Sequence, residues 1–242
     1  LKAGMDLPDY VGDKEITLQS EAGQVWSPKN FDGKTNGVVP LYLALNRSLN
    51  LAMVNLGVTL GLEEVQKQFE LLTGRKPRNE FPSFLLGAEP MSPIEVSELY
   101  SNFASGGFNL KPKAVIGVLD SAGAPLSHHS IVLKQTINPV ISNTLNRSLE
   151  LTMRRGTGRF SSFSKSGVAG KTGTTNDNRD SWFAGFDDNK LAVFWVGRDD
   201  NKSTGLSGAS GALKLWDASL RRIGNSPVSY THLRAHETRE DL

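Results

Sequence analysis

Val168-Ala169-Gly170-Lys171-Thr172-Gly173-Thr174-Thr175 is the stretch on which the fold turns. A Ser- and Gly-rich loop, residues 161–167, leads into it. Two runs of aromatic and aliphatic residues follow, 181–186 and 191–198, with the turn residues Asp187-Asp188-Asn189 between them. Such a pair reads as a β-hairpin. Lys171-Thr172-Gly173 therefore falls on a strand ahead of that hairpin, in the same sheet. Side chains alternate along a strand, so Lys171 and Gly173 face one side and Thr172 and Thr174 the other. A strand glycine often marks close approach of another group. An ammonium and two hydroxyls around a bare glycine suit an anionic ligand, such as a carboxylate, lying along the strand.

Taken alone, the tripeptide is first of all an ordinary surface strand. A phosphate-binding loop is excluded more firmly. That motif needs Gly, four residues, then Gly-Lys-Ser/Thr, and leads into a helix. Lys165 stands where the first glycine belongs, and Gly173-Thr174-Thr175-Asn176-Asp177-Asn178 is a poor helix start.

Composition narrows the remaining classes. The chain has 242 residues, enough for one large domain or two small ones, and a net charge of only +2. Nothing in it has the Lys/Arg and aromatic pattern of a nucleic-acid binder. With no cysteine, it has no disulfide framework, thiol nucleophile or cysteine zinc site, which fits an oxidising compartment. No apolar run reaches the length of a membrane span. His128 and His129, the two histidines outside the C-terminal tail, would point to opposite faces of a strand. No metal site and no Ser-His-Asp triad are expected.

Residues 1–35 read as irregular and turn-rich, with a short strand near 16–18. From Val38 the spacing of Leu41, Leu45 and Leu49 predicts helix. Polar Asn46-Arg47-Ser48-Leu49-Asn50 interrupts it, by itself an ordinary capping turn. Helix resumes over 51–60 and 62–72, closed by Gly74. Ser92-Pro93-Ile94-Glu95 is a capping-box helix start, and that helix runs to about Ala104. Residues 114–119 and 125–133 predict a second hairpin. Asn138-Pro139 opens another helix, ending at Gly156-Thr157-Gly158, and 212–223 is a last amphipathic helix carrying Leu213, Trp216 and Leu220.

Ser48-Leu49-Asn50 between helices and Lys171-Thr172-Gly173 on a later strand are two parts of a three-part signature, Ser-x-x-Lys, Ser-x-Asn and Lys-Thr-Gly. Ala44-Leu45-Asn46-Arg47-Ser48-Leu49-Asn50, Val54-Asn55-Leu56-Gly57, Leu86-Gly87-Ala88, Ala104-Ser105-Gly106-Gly107, Arg155-Gly156-Thr157-Gly158, Gly170 to Thr175 and Asp180-Ser181-Trp182-Phe183-Ala184-Gly185 extend the match, in order. Across roughly residues 20–224 the chain resembles the transpeptidase domain of class A, bifunctional penicillin-binding proteins. The resemblance implies an α+β fold of the serine β-lactamase/penicillin-binding-protein type, an antiparallel sheet flanked by helices. It implies a peptidoglycan D,D-transpeptidase that cross-links stem peptides ending in D-Ala-D-Ala through a serine acyl-enzyme, a β-lactam target without a cofactor. Carried over by position, Ser48 would relay a proton to the leaving amine and Asn50 would hold the donor's amide. Lys171 would bond Ser48 and supply positive potential. The Thr172 and Thr174 hydroxyls would bind the terminal carboxylate beside Gly173, and the Thr174 N–H would form half of an oxyanion hole.

The chain departs from the family's pattern at its centre. No Ser-x-x-Lys precedes Ser48; Ser162-Phe163-Ser164-Lys165 is a chance match in a loop. We expect no nucleophile in this chain. The expectation is a domain truncated on its N-terminal side, with the nucleophile, the first strands of the sheet, a glycosyltransferase domain and a membrane anchor upstream of Leu1. The intact protein would then work at the outer, periplasmic face of the bacterial cytoplasmic membrane. Residues 1–226 are read as the partial domain and 227–242 as a non-native, adaptor-like tail. Two alternatives stay open: a non-catalytic peptidoglycan-binding module of the same fold, and a β-lactamase fragment using Glu80, Glu89, Glu95 or Glu98 to activate water.

Overall fold

The structure, a computed structural model, describes residues 1, 3–19, 23, 25–115, 117–128 and 132–224. His129 and the tail from 227 lie outside these residues. In chain order the elements are β1 Tyr10–Asp13, β2 Leu18–Gln19, β3 Val25–Trp26, β4 Gly37–Pro40, α1 Leu41–Arg47, α2 Asn50–Leu60, α3 Leu62–Thr73, α4 Pro93–Ala104, β5 Phe108–Asn109, β6 Gly117–Leu119, β7 Pro125–His128, β8 Lys134–Gln135, α5 Pro139–Arg155, β9 Ala169–Thr174, β10 Ser181–Phe186, β11 Leu191–Val196 and α6 Ala212–Ile223. No helix among them is long and apolar enough to cross a membrane. The described residues hold no cluster of three metal-ligating side chains.

The expected sheet is present. β9, β10 and β11 form an antiparallel three-stranded sheet in the order β11-β10-β9. Its two faces follow from the alternation along β10. Phe183 packs with Val168, Met153 of α5 and Leu213, Trp216 and Leu220 of α6. Phe186, odd against even, packs on the other side with Ala169, Leu149 of α5 and the Tyr100–Phe103 region of α4. Phe183 and Trp216 meet edge to face, centroids 5.1 Å apart. Phe183 is fully buried, so truncating it to alanine costs about 3–5 kcal/mol. Gly170 permits this packing, because a Cβ there would stand 2.6 Å from the Phe183 ring.

The helix starts obey their local chemistry. Ser92 and Glu95 close the capping box on α4. Asn138 accepts the Val140 N–H at the start of α5. Between α1 and α2 the chain turns through Ser48, which adopts the left-handed conformation with φ 56° and ends α1.

The first forty residues correct the irregular reading. β1 pairs antiparallel with β4, Tyr10 opposite Pro40 and Asp13 opposite Gly37. Val38 and Val39 thus belong to a strand, and the helix starts at Leu41. Val11, Val39, Leu41, Ala44, Leu49 and Ala52 form one buried cluster between this ribbon and the two helices. Hydropathy hid β1 because its two buried residues are Val11 and Asp13, while Tyr10 is exposed. The hairpin expected over 114–133 is shorter than read: β6 pairs with β7 only, and β8 turns away to pair with β5.

Candidate active site

The site begins at the helix-to-helix turn. α1 is too short to be stable alone. Its C-terminus is held by α5 and the turn after it: the Asn46 side-chain oxygen accepts the Thr152 hydroxyl at 2.9 Å, and the Asn46 carbonyl accepts the Thr157 N–H at 3.0 Å. Gly156 lies so close that a Cβ would run into the Asn46 carbonyl. Two residues later Ser48 takes positive φ, a conformation that costs a non-glycine residue on the order of 1 kcal/mol and that the surrounding contacts enforce.

Ser48 faces β9. The Lys171 ammonium donates to the Ser48 hydroxyl oxygen at 2.8 Å and to the Thr172 carbonyl at 3.1 Å, closing a span of 123 residues. Burial lowers the lysine pKa from its ordinary 10.5 to about 8. At neutral pH the group stays mostly protonated, so it donates and cannot accept. The Ser48 hydroxyl then receives one bond from Lys171 and keeps its own proton free to donate elsewhere.

Thr172 and Thr174 find separate partners. The Thr172 hydroxyl donates to the Thr157 hydroxyl at 2.6 Å. The Thr174 hydroxyl accepts the Gly208 N–H at 2.9 Å, which leaves it able to donate. Gly208 is pressed against the sheet, since a Cβ there would stand 2.6 Å from the Gly173 oxygen. Asn50 turns its amide nitrogen to the Lys29 carbonyl at 2.8 Å. Thus Ser48 and Lys171 are in direct contact, Thr172 meets Lys171 through its carbonyl and is tied through Thr157 to Asn46, and Thr174 is tethered at the strand's end. β9 is the last strand on its side of the described sheet, so its outer edge can pair with an extended ligand.

Ser162 is placed elsewhere. Its N–H and hydroxyl bond Asp217 Oδ2 at 2.8 and 3.1 Å, and Arg221 reaches the same hydroxyl. Among the carboxylates weighed as water activators, Glu89 is bound by Arg75 and the N–H groups of Arg78 and Asn79. Hydrogen bonds from Ser92 and Arg78 hold Glu95 at about 2 against the smaller opposing effect of burial. Three neighbours of the site were absent from the residue-by-residue reading: Asn46, Thr157 and Gly208. Asn46 and Thr157 lie inside motif segments quoted above, and that was their signal. Gly208 had none beyond a glycine in a loop.

A buried ammonium on an edge strand, bonded to a serine in a helix–helix turn, with helices on both faces of the sheet, defines an α+β protein of the serine β-lactamase/penicillin-binding-protein type. A family profile described as the penicillin binding protein transpeptidase domain matches residues 8–214. Penicillin-binding protein 1B of Vibrio cholerae is 39% identical over 219 residues, and that of Escherichia coli is 36% identical over 228. These matches cover 89% and 92% of this chain but only 28% and 27% of those proteins, so the chain spans little more than a quarter of their length. The crystal structure of penicillin-binding protein 1A from Haemophilus influenzae superposes with a TM-score of 0.83 at 23% identity, covering 93% of this chain and 41% of that one. The PonA1 protein of Mycobacterium tuberculosis in complex with penicillin V superposes with a TM-score of 0.75 at 19% identity, covering 94% and 67%. The chain belongs to the penicillin-binding protein transpeptidase family.

Proposed function

We propose that this chain forms the Ser48–Lys171 wall of a peptidoglycan D,D-transpeptidase site, and that the nucleophilic serine is carried on a segment N-terminal to Leu1. The observation that carries the reading is the 2.8 Å bond from Lys171 to Ser48. In the forward step the nucleophile's oxygen attacks the carbonyl of the penultimate D-alanine. A carbon–oxygen bond forms as the nucleophile loses its proton, the carbon–nitrogen bond breaks, and that proton passes through the Ser48 hydroxyl to the departing D-alanine nitrogen. An amine of a second strand then attacks the ester, forms the cross-link and frees the serine. The stem peptide lies along the outer edge of β9 as an added strand. Its carboxylate accepts the free Thr174 hydroxyl proton and, once the Thr172 hydroxyl turns from Thr157 toward it, that proton too, under the positive potential of Lys171. Asn50 holds the donor's amide, and the Thr174 N–H gives half of the oxyanion hole. A β-lactam enters the same site and acylates the same serine. The intact protein works at the outer face of the cytoplasmic membrane, anchored through upstream sequence.

The test is intact-protein mass spectrometry with a labelled penicillin. The 242-residue chain should acquire no stoichiometric adduct. Extended upstream to include a Ser-x-x-Lys, it should acquire one, and Lys171→Ala should slow that labelling. An adduct on Ser48 or Ser162 of the unextended chain, or a folded extended protein that stays unlabelled, would overturn the reading.

A further inference from the structure

α2 begins without a cap of its own. Its N-cap residue is Leu49, which offers no side-chain acceptor, and no acidic residue lies in its first turn. Helix starts leave N–H groups that need partners, and here two partners come from distant sequence. Asn30 Oδ1 accepts the Leu51 N–H at 3.1 Å, across 21 residues. Asp13 Oδ1 accepts the Ala52 N–H at 3.2 Å, across 39 residues. The same two side chains hold each other, because the Asn30 amide lies 2.9 and 3.0 Å from the two Asp13 oxygens. The Asn36 N–H and side-chain amide complete the shell of Asp13 Oδ2 at 2.8 and 2.6 Å. Asp13 is 0% exposed and Asn30 4%. A buried carboxylate is costly unless fully hydrogen-bonded, and this one is also favoured by the positive end of α2.

The neighbouring backbone ties this cluster to the proposed site. Lys29, next to Asn30, gives its carbonyl to the Asn50 amide. One turn on, Asn55 reaches the carbonyl of Lys14, the residue after Asp13. The beginning of α2 is thus gripped from behind by β1 and the 27–36 loop. The left-handed Ser48 lies two residues before α2, between it and the end of α1.

We infer that Asp13 and Asn30 are positioning residues, which cap α2 from outside the helix and thereby hold Ser48 and Asn50 in register with Lys171. Neither touches a reacting atom. A merely structural pair would support the fold and leave the Ser48–Lys171 contact indifferent to its loss; a positioning pair would not. The functional meaning rests on the reading of Ser48 and Asn50 proposed above, but the geometry is tested apart from it.

The test follows the Lys171 amine by nitrogen-15 NMR in the 242-residue chain. In the unmodified protein it should titrate near pH 8. In Asn30→Ala, with Ser48 free to relax and water admitted, the midpoint should rise toward 10.5 by half a unit or more. Asp13→Asn should do the same. Asp217→Ala, which disturbs the 161–163 loop instead, should lower the melting temperature and leave the midpoint in place. An unmoved Lys171 in both cap variants overturns the inference and reduces the pair to a fold-stabilising role. Should those variants fail to fold, hydrogen exchange on the unmodified chain decides: the Leu51 and Ala52 amides should be protected as the helix interior is, and rapid exchange overturns the inference. If the lysine moves in the cap variants while Lys171→Ala leaves penicillin labelling of the extended protein unaffected, the positioning stands and the transpeptidase reading falls.

Discussion

Ser162 and Ser48 show one hydroxyl in two settings. Ser162 opens the formal Ser-x-x-Lys of this chain, yet its lysine, Lys165, is exposed, and Asp217 and Arg221 take the Ser162 hydroxyl instead. The spacing is right and the chemistry is absent, since no helix aligns the two side chains on one face and the lysine stands in solvent. Ser48 has no lysine near it in sequence. Its lysine arrives from 123 residues away, part-buried and lowered to about 8. A sequence motif thus carries chemistry only where the fold supplies the desolvation and the alignment.

The largest test of this contrast is kinetic. In the protein extended to include its nucleophile, Ser48→Ala and Lys171→Ala should each slow penicillin acylation about 10²-fold or more, the usual scale for a lost proton relay or a preorganised charge. Ser162→Ala should leave the rate within about twofold, given ordinary surface-substitution effects. Equal effects at the two serines would erase the distinction.

Stability should show the reverse order. Asp217 is buried and accepts from Ser161, the Ser162 N–H and the Ser162 hydroxyl. Asp217→Ala strands those donors and should destabilise by about 3 kcal/mol, measured by urea unfolding. Ser48→Ala, which removes one acceptor from a lysine that keeps the Thr172 carbonyl, should cost less.

A pH series sharpens the Ser48 side. Burial lowers the Lys171 pKa on folding, so between about pH 8 and 10.5 the unfolded chain binds more protons than the folded one. The Lys171 contribution to stability therefore improves as pH rises through that window, and below pH 8 the buried ammonium is a standing cost. Lys171→Met should be the more stable protein at pH 7, by on the order of 2 kcal/mol, and should lose that part of the pH dependence. A wild-type and variant pair with parallel profiles would show that Lys171 is not desolvated.

The smallest effect concerns the backbone. Ser48→Gly and Ser48→Ala both remove the hydroxyl, but only glycine accepts φ 56° freely. Glycine should therefore be the more stable of the two by about 1 kcal/mol, the opposite of the order inside a helix. Alanine matching glycine would mean that the turn is not held in the left-handed region.

The sequence alone determined the parts whose signal is local. The β9–β10–β11 sheet was legible because apolar runs flank turn residues. α4 and α5 were legible because Ser92, Glu95 and Asn138 cap them through bonds two or three residues away. Ser48, Asn50 and Lys171 to Thr174 were picked out by motif, which names residues without saying how they meet. The tertiary structure alone decided the rest. β1 is invisible to hydropathy because it buries an aspartate, which is stable there only because Asn30, Asn36 and the start of α2, 17 to 39 residues away, satisfy its oxygens. Thr157 meets Thr172, and Asn46 meets Thr152, only once α5 lies against both α1 and β9. Hydrogen bonds between distant residues leave no period and no composition in the chain, so what holds Ser48 against Lys171 had to be read from the fold.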